Sequence, residues 1–450
     1  MKNMYTDRPD RGSVLIIAII LALGIFIITG TYLNLATKDL THSDNASLYN
    51  SLLNLGEGGA EDAVWALHEN DWTGWSESSG KKVKRASNID LGGGKSAVVS
   101  VMVEDWSALP SIYVEGKTFR KNGGKLVKQI RMDLAYRSLF FNGLTAKEAL
   151  TISGGAAIID SYDPGNGLWN ATTNRGDKGT VGTLSIGFED LDAGNSEIYG
   201  YVATGGGTPA FGSNAKVYGS DWTSGDPEVD TDRVRQDFNG NFPVIPPPTL
   251  SSPLVDSDVA SIIGSSGGAA SLTISAGTSG APVDYNLTGL DMGNNKSLII
   301  TGHARMVVSG NVDINDLAIA SGASLQLFVN GDFTVSGNSV ANANPHTSSF
   351  VVYGTNESTV QTFTLNGASS LVAAVYAPNA NVGVNGGGSG DGFSGAAVGK
   401  TIRLNGGVTF HYDESLSDFF GPDPKFKLKT WVELIKPTDR IDFDSFFPSS

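Results

Sequence analysis

The chain has 450 residues, among them 57 glycines and no cysteine, and a formal net charge of -15 with a pI near 4.7. The missing cysteines exclude disulfides and thiolate metal sites. The negative charge speaks against binding nucleic acid or an anionic membrane surface through a general field. At roughly 150 residues per unit, the length suits two or three structural units. The glycines suit short strands joined by tight turns, where Gly supplies positive φ without a Cβ clash.

The first twelve residues are short and polar and carry Lys2, Arg8 and Arg11. Orientation follows Lys and Arg rather than net charge, so the N-terminus is expected to stay cytoplasmic and the body to be exported. No charge interrupts the chain between Arg11 and Lys38. A spanning helix needs about 20 apolar residues, whereas a signal-peptide h-region has about 7–15. Asn34 spoils the only nearby small-residue cleavage pattern, Leu33-Asn34-Leu35-Ala36. A retained membrane helix is therefore predicted. Leu33, Leu40, Leu48, Leu52, Leu55, Ala63 and Leu67 recur at helical spacing and extend it as one amphipathic helix over residues 13–70. Gly56, Gly58 and Gly59 each cost about 1 kcal/mol relative to Ala in a helix interior, which predicts a kink or break before Glu61.

Gly12 directly after a basic leader, with the apolar run starting at Ser13, resembles the leader of type IV prepilins. The resemblance implies cleavage by a prepilin peptidase between Gly12 and Ser13. Typical major pilins carry Glu at the fifth mature position, where this chain has Ile17. That departure moves the resemblance toward PilX-like minor pilins and the K-type minor pseudopilins of type II secretion, and implies a tip or priming subunit. Residues 55–67, with Glu57 and Glu61, resemble the AEAG-type end of the long helix in PilX-like proteins, with Gly56 and Gly58 where that pattern has Ala. The partners so implied are other pilin-like subunits, the pilus assembly machinery and the membrane, with no nucleic acid. The implied location is the inner membrane with an exported body, in the cell envelope or an extracellular pilus-like fibre. No catalytic activity is carried over, and no cofactor is expected.

The remainder reads as mainly β. Trp65, Trp72 and Trp75 suit a hydrophobic plug where the helix ends. Residues 96–104, 111–119 and 126–136 alternate as strands and predict a small antiparallel meander within residues 71–138. Over residues 139–241 and 251–416, short apolar runs are punctuated by Gly, Asn, Asp and Ser. This predicts two β-helix or solenoid segments, with a sandwich as the competing fold. Residues 242–250, rich in Pro, predict a stiff extended linker. In the tail, residues 417–450, the stretch 425–435 suits a last strand or a short helix equally. Residues 160–163, 376–380 and 411–413 look like marks of the β-rich domain attached to PilX-like N-termini in some bacterial proteins.

Few motifs suggest chemistry. Residues 390–395 match G-x-G-x-x-G, but a strand rather than a helix follows, and residues 399–401 end like a P-loop without its first glycine. His411, Tyr412 and Asp413, with Glu414, are expected to form a hydrogen-bonded cap closing the solenoid, with His411 and Asp413 on one side of a strand and Tyr412 on the other. Asp160 with Asp163 and Asp313 with Asp316 are expected to be solvated turn residues rather than calcium ligands. The expected function is thus a non-catalytic structural or tip subunit displaying a β-rich body. A membrane-anchored surface adhesin and a polysaccharide-acting β-helix enzyme are the alternatives.

Overall fold

The computed structural model describes residues 11–119, 124–155, 157–264, 268–366, 371–386, 392–422 and 424–447. Most of the leader, the turn at residues 121–123, and Gly390 with Asp391 lie outside the described residues. The chain is mainly β with one long N-terminal helix, and it divides into two compact units. The first joins Met1–Tyr136 to Lys425–Ser450, and the second is Arg137–Pro424. This replaces the consecutive segments expected from sequence, because the tail belongs with the N-terminal unit.

In the first unit the helix runs unbroken over Arg11–Glu69. The expected break before Glu61 is absent. Of the three glycines Gly59 lets the helix lie close to a sheet, while Gly58 faces open space and Gly56 leaves ordinary contact distance to Ile130. Gly59 has no room to spare: a Cβ there would sit 3.0 Å from Val99 and Val101 side chains. On the facing strand Ser111–Phe119, a Cβ on Gly116 would sit 2.7 Å from the Leu52 carbonyl oxygen. Leu48, Leu52, Ala60, Ala63 and Ala66 complete the buried face. Tight helix–sheet packing thus offsets the propensity cost at Gly59. Leu33 and Leu40, expected on the same face, are exposed.

The sheet is antiparallel and runs through Ser76–Ser78, Lys81–Gly92, Lys95–Glu104, Ser111–Phe119 and Lys125–Tyr136, and ends on Phe426–Glu433. The tail stretch is therefore a strand, pairing Tyr136 with Phe426, so the second unit leaves and re-enters the first between neighbouring strands. Val99, Val101 and Val103 face the helix, while Met102 and Val83 face Phe443 of the tail, as strand alternation requires. Asp444 fastens that tail, lying 2.9 Å from Lys117 Nζ and 2.8 Å from Arg85 Nη2. Trp72 packs edge-on against Trp75 and Trp106 at the helix end, whereas Trp65 is exposed.

In the second unit the named strands between Leu144 and Asp413 pair in parallel. Some partners lie close along the chain, as Arg305 with Gln326, Leu327 with Val352 and Val375 with Ala397, whereas Ile402 pairs with Leu150 from the beginning of the unit. The two stretches separated in the sequence reading form one stack, and its order is not the chain's order. The levels run from Ala270–Ile274 up to Thr409–Asp413 and continue into Leu144–Ser153 and Ile158–Tyr162. The Pro-rich residues 242–250 are not a free linker. They belong to a segment that returns along the stack: Phe238 bonds Thr204, Phe242 stacks on Phe141, Tyr376 bonds the Pro243 carbonyl, and Leu254 pairs beside Asp284. Phe242 and Ile245 are buried. Proline suits such a strip, since it fixes φ and brings no N–H that would need a partner.

Equivalent side chains pile up between levels. Phe328 stacks on Tyr353 with ring centres 4.6 Å apart, and Phe333 packs tilted against Phe363 at 5.3 Å. Asn366, Asn385 and Asn405 form an amide ladder with bonds of 2.8 and 2.9 Å, ending on Ser153. Each amide both donates and accepts, so the ladder fixes register as well as adding hydrogen bonds.

Candidate functional site: an outer groove ending on Ser394, His411 and Asp160

Strand alternation separates two sets of residues on three neighbouring strands of the second unit. Phe393, Phe410 and Ile159 enter the core. Ser394, His411 and Asp160, one residue further along, therefore face the opposite side. Register places Ser394 opposite His411, and His411 opposite Asp160. On the other side of Ser394 the same row continues through Val372, and nearby levels present Ala341, Ala318 and Ile299. Leu168 and Trp169 lean over this row and enclose a cavity of about 470 Å³, which Ser394 and Asn342 also line.

His411 and Asp160 are fully buried. Asp160 Oδ1 hydrogen-bonds His411 Nδ1. Arg175 Nε lies 2.8 Å from Asp160 Oδ2, an ion-pair contact angled away from a hydrogen bond, so that Oδ2 has no hydrogen-bond donor. The Arg175 guanidinium in turn lies 3.6 Å from the Tyr199 ring centre. Trp169 stacks on the imidazole with ring centres 3.7 Å apart. Two buried polar atoms remain without a partner, His411 Nε2 and Trp169 Nε1. A buried polar group left unpaired costs about 1–3 kcal/mol, so these two atoms call for an explanation that packing does not supply.

The residues singled out from sequence fall apart by role. Tyr412 donates to the Phe140 carbonyl at 2.6 Å, and burial pushes its hydroxyl pKa up. Asp413 accepts from Thr347 N at 2.7 Å and from Ser415 N at 2.9 Å, capping the turn Glu414–Asp418. These two fasten loops. The cluster does not close the stack, because its strand has partners on both sides. Asp160 is a buried ion-pair partner rather than a solvated turn residue. Asp163 is exposed and caps the turn Pro164–Asn166. Asp313 and Asp316 lie within the strand Val312–Ile319, not in a turn. Among the described residues no group of three or more His, Asp or Glu could hold a metal ion. The glycine motif at residues 390–395 has a backbone explanation: a Cβ on Gly395 would sit 1.8 Å from the Ala373 carbonyl oxygen, and one on Gly392 2.0 Å from Thr409.

In the first unit, Gly12 and Ser13 fall in the first turn of the helix. Ile17 is exposed, as are Glu57 and Glu61. Glu61 borders a second cavity of about 380 Å³ with Trp65, His68, Met132 and Phe426. Sequence reading missed Ser394, Trp169 and the pairing of His411 with Asp160. Two of its motifs contained His411 and Asp160, but separately.

A family model described as "Domain of unknown function (DUF7305)" matches residues 244–419. The match includes Ser394 and His411 and ends short of Asp160 and Trp169 on the N-terminal side. No curated protein and no solved structure matches the chain.

Proposed function

We propose that this chain is a PilX-like minor pilin of a type IV pilus-like or type II secretion-like system, a structural or tip subunit that displays a β-solenoid body outside the cell. The observation that carries the reading is the split character of the helix. Its C-terminal half buries a small-residue face on an antiparallel sheet. Its N-terminal half leaves apolar side chains exposed all round, from Leu15 and Ile20 to Phe26 and Leu35. Length and composition suit a membrane span, and a bundle of like helices would serve the same surface. Thr31 and Thr37 return their hydroxyls to carbonyls of the preceding turn, at 2.8 and 2.9 Å for the shorter bonds. No free hydroxyl there need face hydrocarbon. The turn-by-turn parallel pairing supports a solenoid coil for the body.

N-terminal sequencing of the natural protein tests the proposal. A mature chain starting at Ser13, with Gly12→Leu retained uncut in the membrane, is the expected result. Met1 intact, or a cut near Ala36, overturns it. Shear fractionation separates a fibre subunit, which appears in sheared material, from a lone membrane-anchored adhesin, which stays with the membranes.

A further inference from the structure

We propose that Ser394, His411 and Asp160 form a nucleophile–base–carboxylate relay that hydrolyses carboxylic esters of apolar acyl groups bound in the groove beneath Trp169. The inference does not depend on how the N-terminus is processed.

Three observations carry it. The first is order. A hydroxyl, an imidazole and a carboxylate occupy successive strands of a parallel ladder at matching register, each strand about 4.8 Å from the next. That is the sequence of roles such a relay requires, and it is recognised by geometry rather than by position in the chain. The second is the tautomer. Asp160 holds Nδ1, so the free Nε2 is the nitrogen left to take a proton. Nε2 is buried and unpaired, and the residue opposite the imidazole in register is Ser394. The hydrogen bond between them is not formed in the unliganded protein, and such bonds commonly tighten only when substrate is bound. The third is access. Ser394 lines the cavity, while His411 and Asp160 are shielded from water. Trp169 Nε1, also lining that side and also unpaired, offers a donor to a carbonyl oxygen.

The chemistry balances without a cofactor. Ser394 Oγ forms a bond to the ester carbonyl carbon as its proton passes to His411 Nε2. The carbonyl π-electrons move onto oxygen, where Trp169 Nε1 donates. Collapse breaks the carbon–alkoxy bond, and His411 returns the proton to the departing alcohol. Water then repeats the sequence on the acyl-serine, releasing the carboxylic acid and restoring Ser394. Asp160 acts through the imidazole as a positioning residue. Leu168, Ile299, Ile319 and Val372 line the cavity, and the alanines at 318, 341 and 343 leave it room, which suits an apolar acyl chain.

The test uses the full chain in detergent with 4-nitrophenyl acetate and 4-nitrophenyl octanoate, together with an alkyl fluorophosphonate followed by peptide mass spectrometry. The expected result is one phosphonyl adduct on Ser394, a lower KM for octanoate than for acetate, and turnover reduced at least about 100-fold in Ser394→Ala and His411→Gln. Asp160→Asn should lower kcat with KM unchanged, a split that a purely structural carboxylate would not produce. His411→Gln disturbs a buried pair, so Ser394→Ala, which removes one oxygen from a site lining a cavity, keeps the test decisive if the former fails to fold. Absence of an adduct on Ser394, or nitrophenol release unchanged in Ser394→Ala, overturns the proposal. A KM no lower for octanoate than for acetate overturns the apolar-acyl assignment.

Discussion

The two units use glycine for the same end in different geometries. In the first unit, Gly59 and Gly116 thin the contact between a helix and a sheet. The sheet itself is antiparallel and mostly joined by short connections. In the second, Gly392 and Gly395 thin the contact between stacked backbones, and the pairings are parallel and join strands well separated along the chain. The first therefore draws its register from turns, while the second draws it from ladders of like residues, such as the asparagines at 366, 385 and 405. A defect in the first should be absorbed locally. One in the second is held between two neighbouring levels and has nowhere to relax.

Four measurements would break or sharpen that contrast, each read by peptide-resolved hydrogen exchange on the full chain. The largest effect is expected at Gly395→Ala. Its φ of 139° and a backbone oxygen 1.8 Å from the new Cβ leave no accommodation. A loss of about 3 kcal/mol or more, confined to the second unit, is expected. Equal loosening of the first unit would show that the units do not respond separately.

Next is Phe443→Ala, which removes a fully buried ring from beneath the meander. A loss of about 3 kcal/mol follows from the cavity and transfer terms. Residues 441–447 should lose protection first, and unchanged protection there would mean that the tail is not held by this ring.

Third is a paired comparison on the helix. Gly58 has open space where a Cβ would go, whereas Gly59 is pressed against three valines. Gly58→Ala should stabilise the helix by about 0.5–1 kcal/mol, and Gly59→Leu should cost about 1–3 kcal/mol through overpacking. Like-signed shifts for the two would contradict the close helix–sheet contact.

The smallest effect concerns pH. Hydrogen bonding from Lys117 first, then from Arg85, holds Asp444 below the ordinary carboxylate value of 3.8. A carboxylate depressed in the folded state contributes stability above its unfolded value, and that contribution fades as pH falls through the folded value. Tail protection should therefore weaken below about pH 3.8, by less than about 1 kcal/mol for so exposed a carboxylate. Asp444→Asn should lose this pH dependence, and a variant still showing it would shift the cause elsewhere.

The sequence by itself determined the long apolar helix, since an uncharged run of that length has one stable form in hydrocarbon. It also determined the strands at 96–104, 111–119 and 126–136, where alternation is read directly from residue type. The glycine run at 56, 58 and 59 misled, because propensity is local while the room beside Gly59 is set by Val99, Val101 and Val114 from the sheet strands. Only the tertiary structure decided that the tail completes the first sheet, and that the chain returns along its own stack through residues 242–250. Both depend on pairings between residues far apart in the chain. The same holds for the groove. Asp160, Ser394 and His411 carry no mutual spacing that sequence could reveal. They meet because parallel pairing brings one residue of each strand to a common level, a coincidence that register creates and composition does not record.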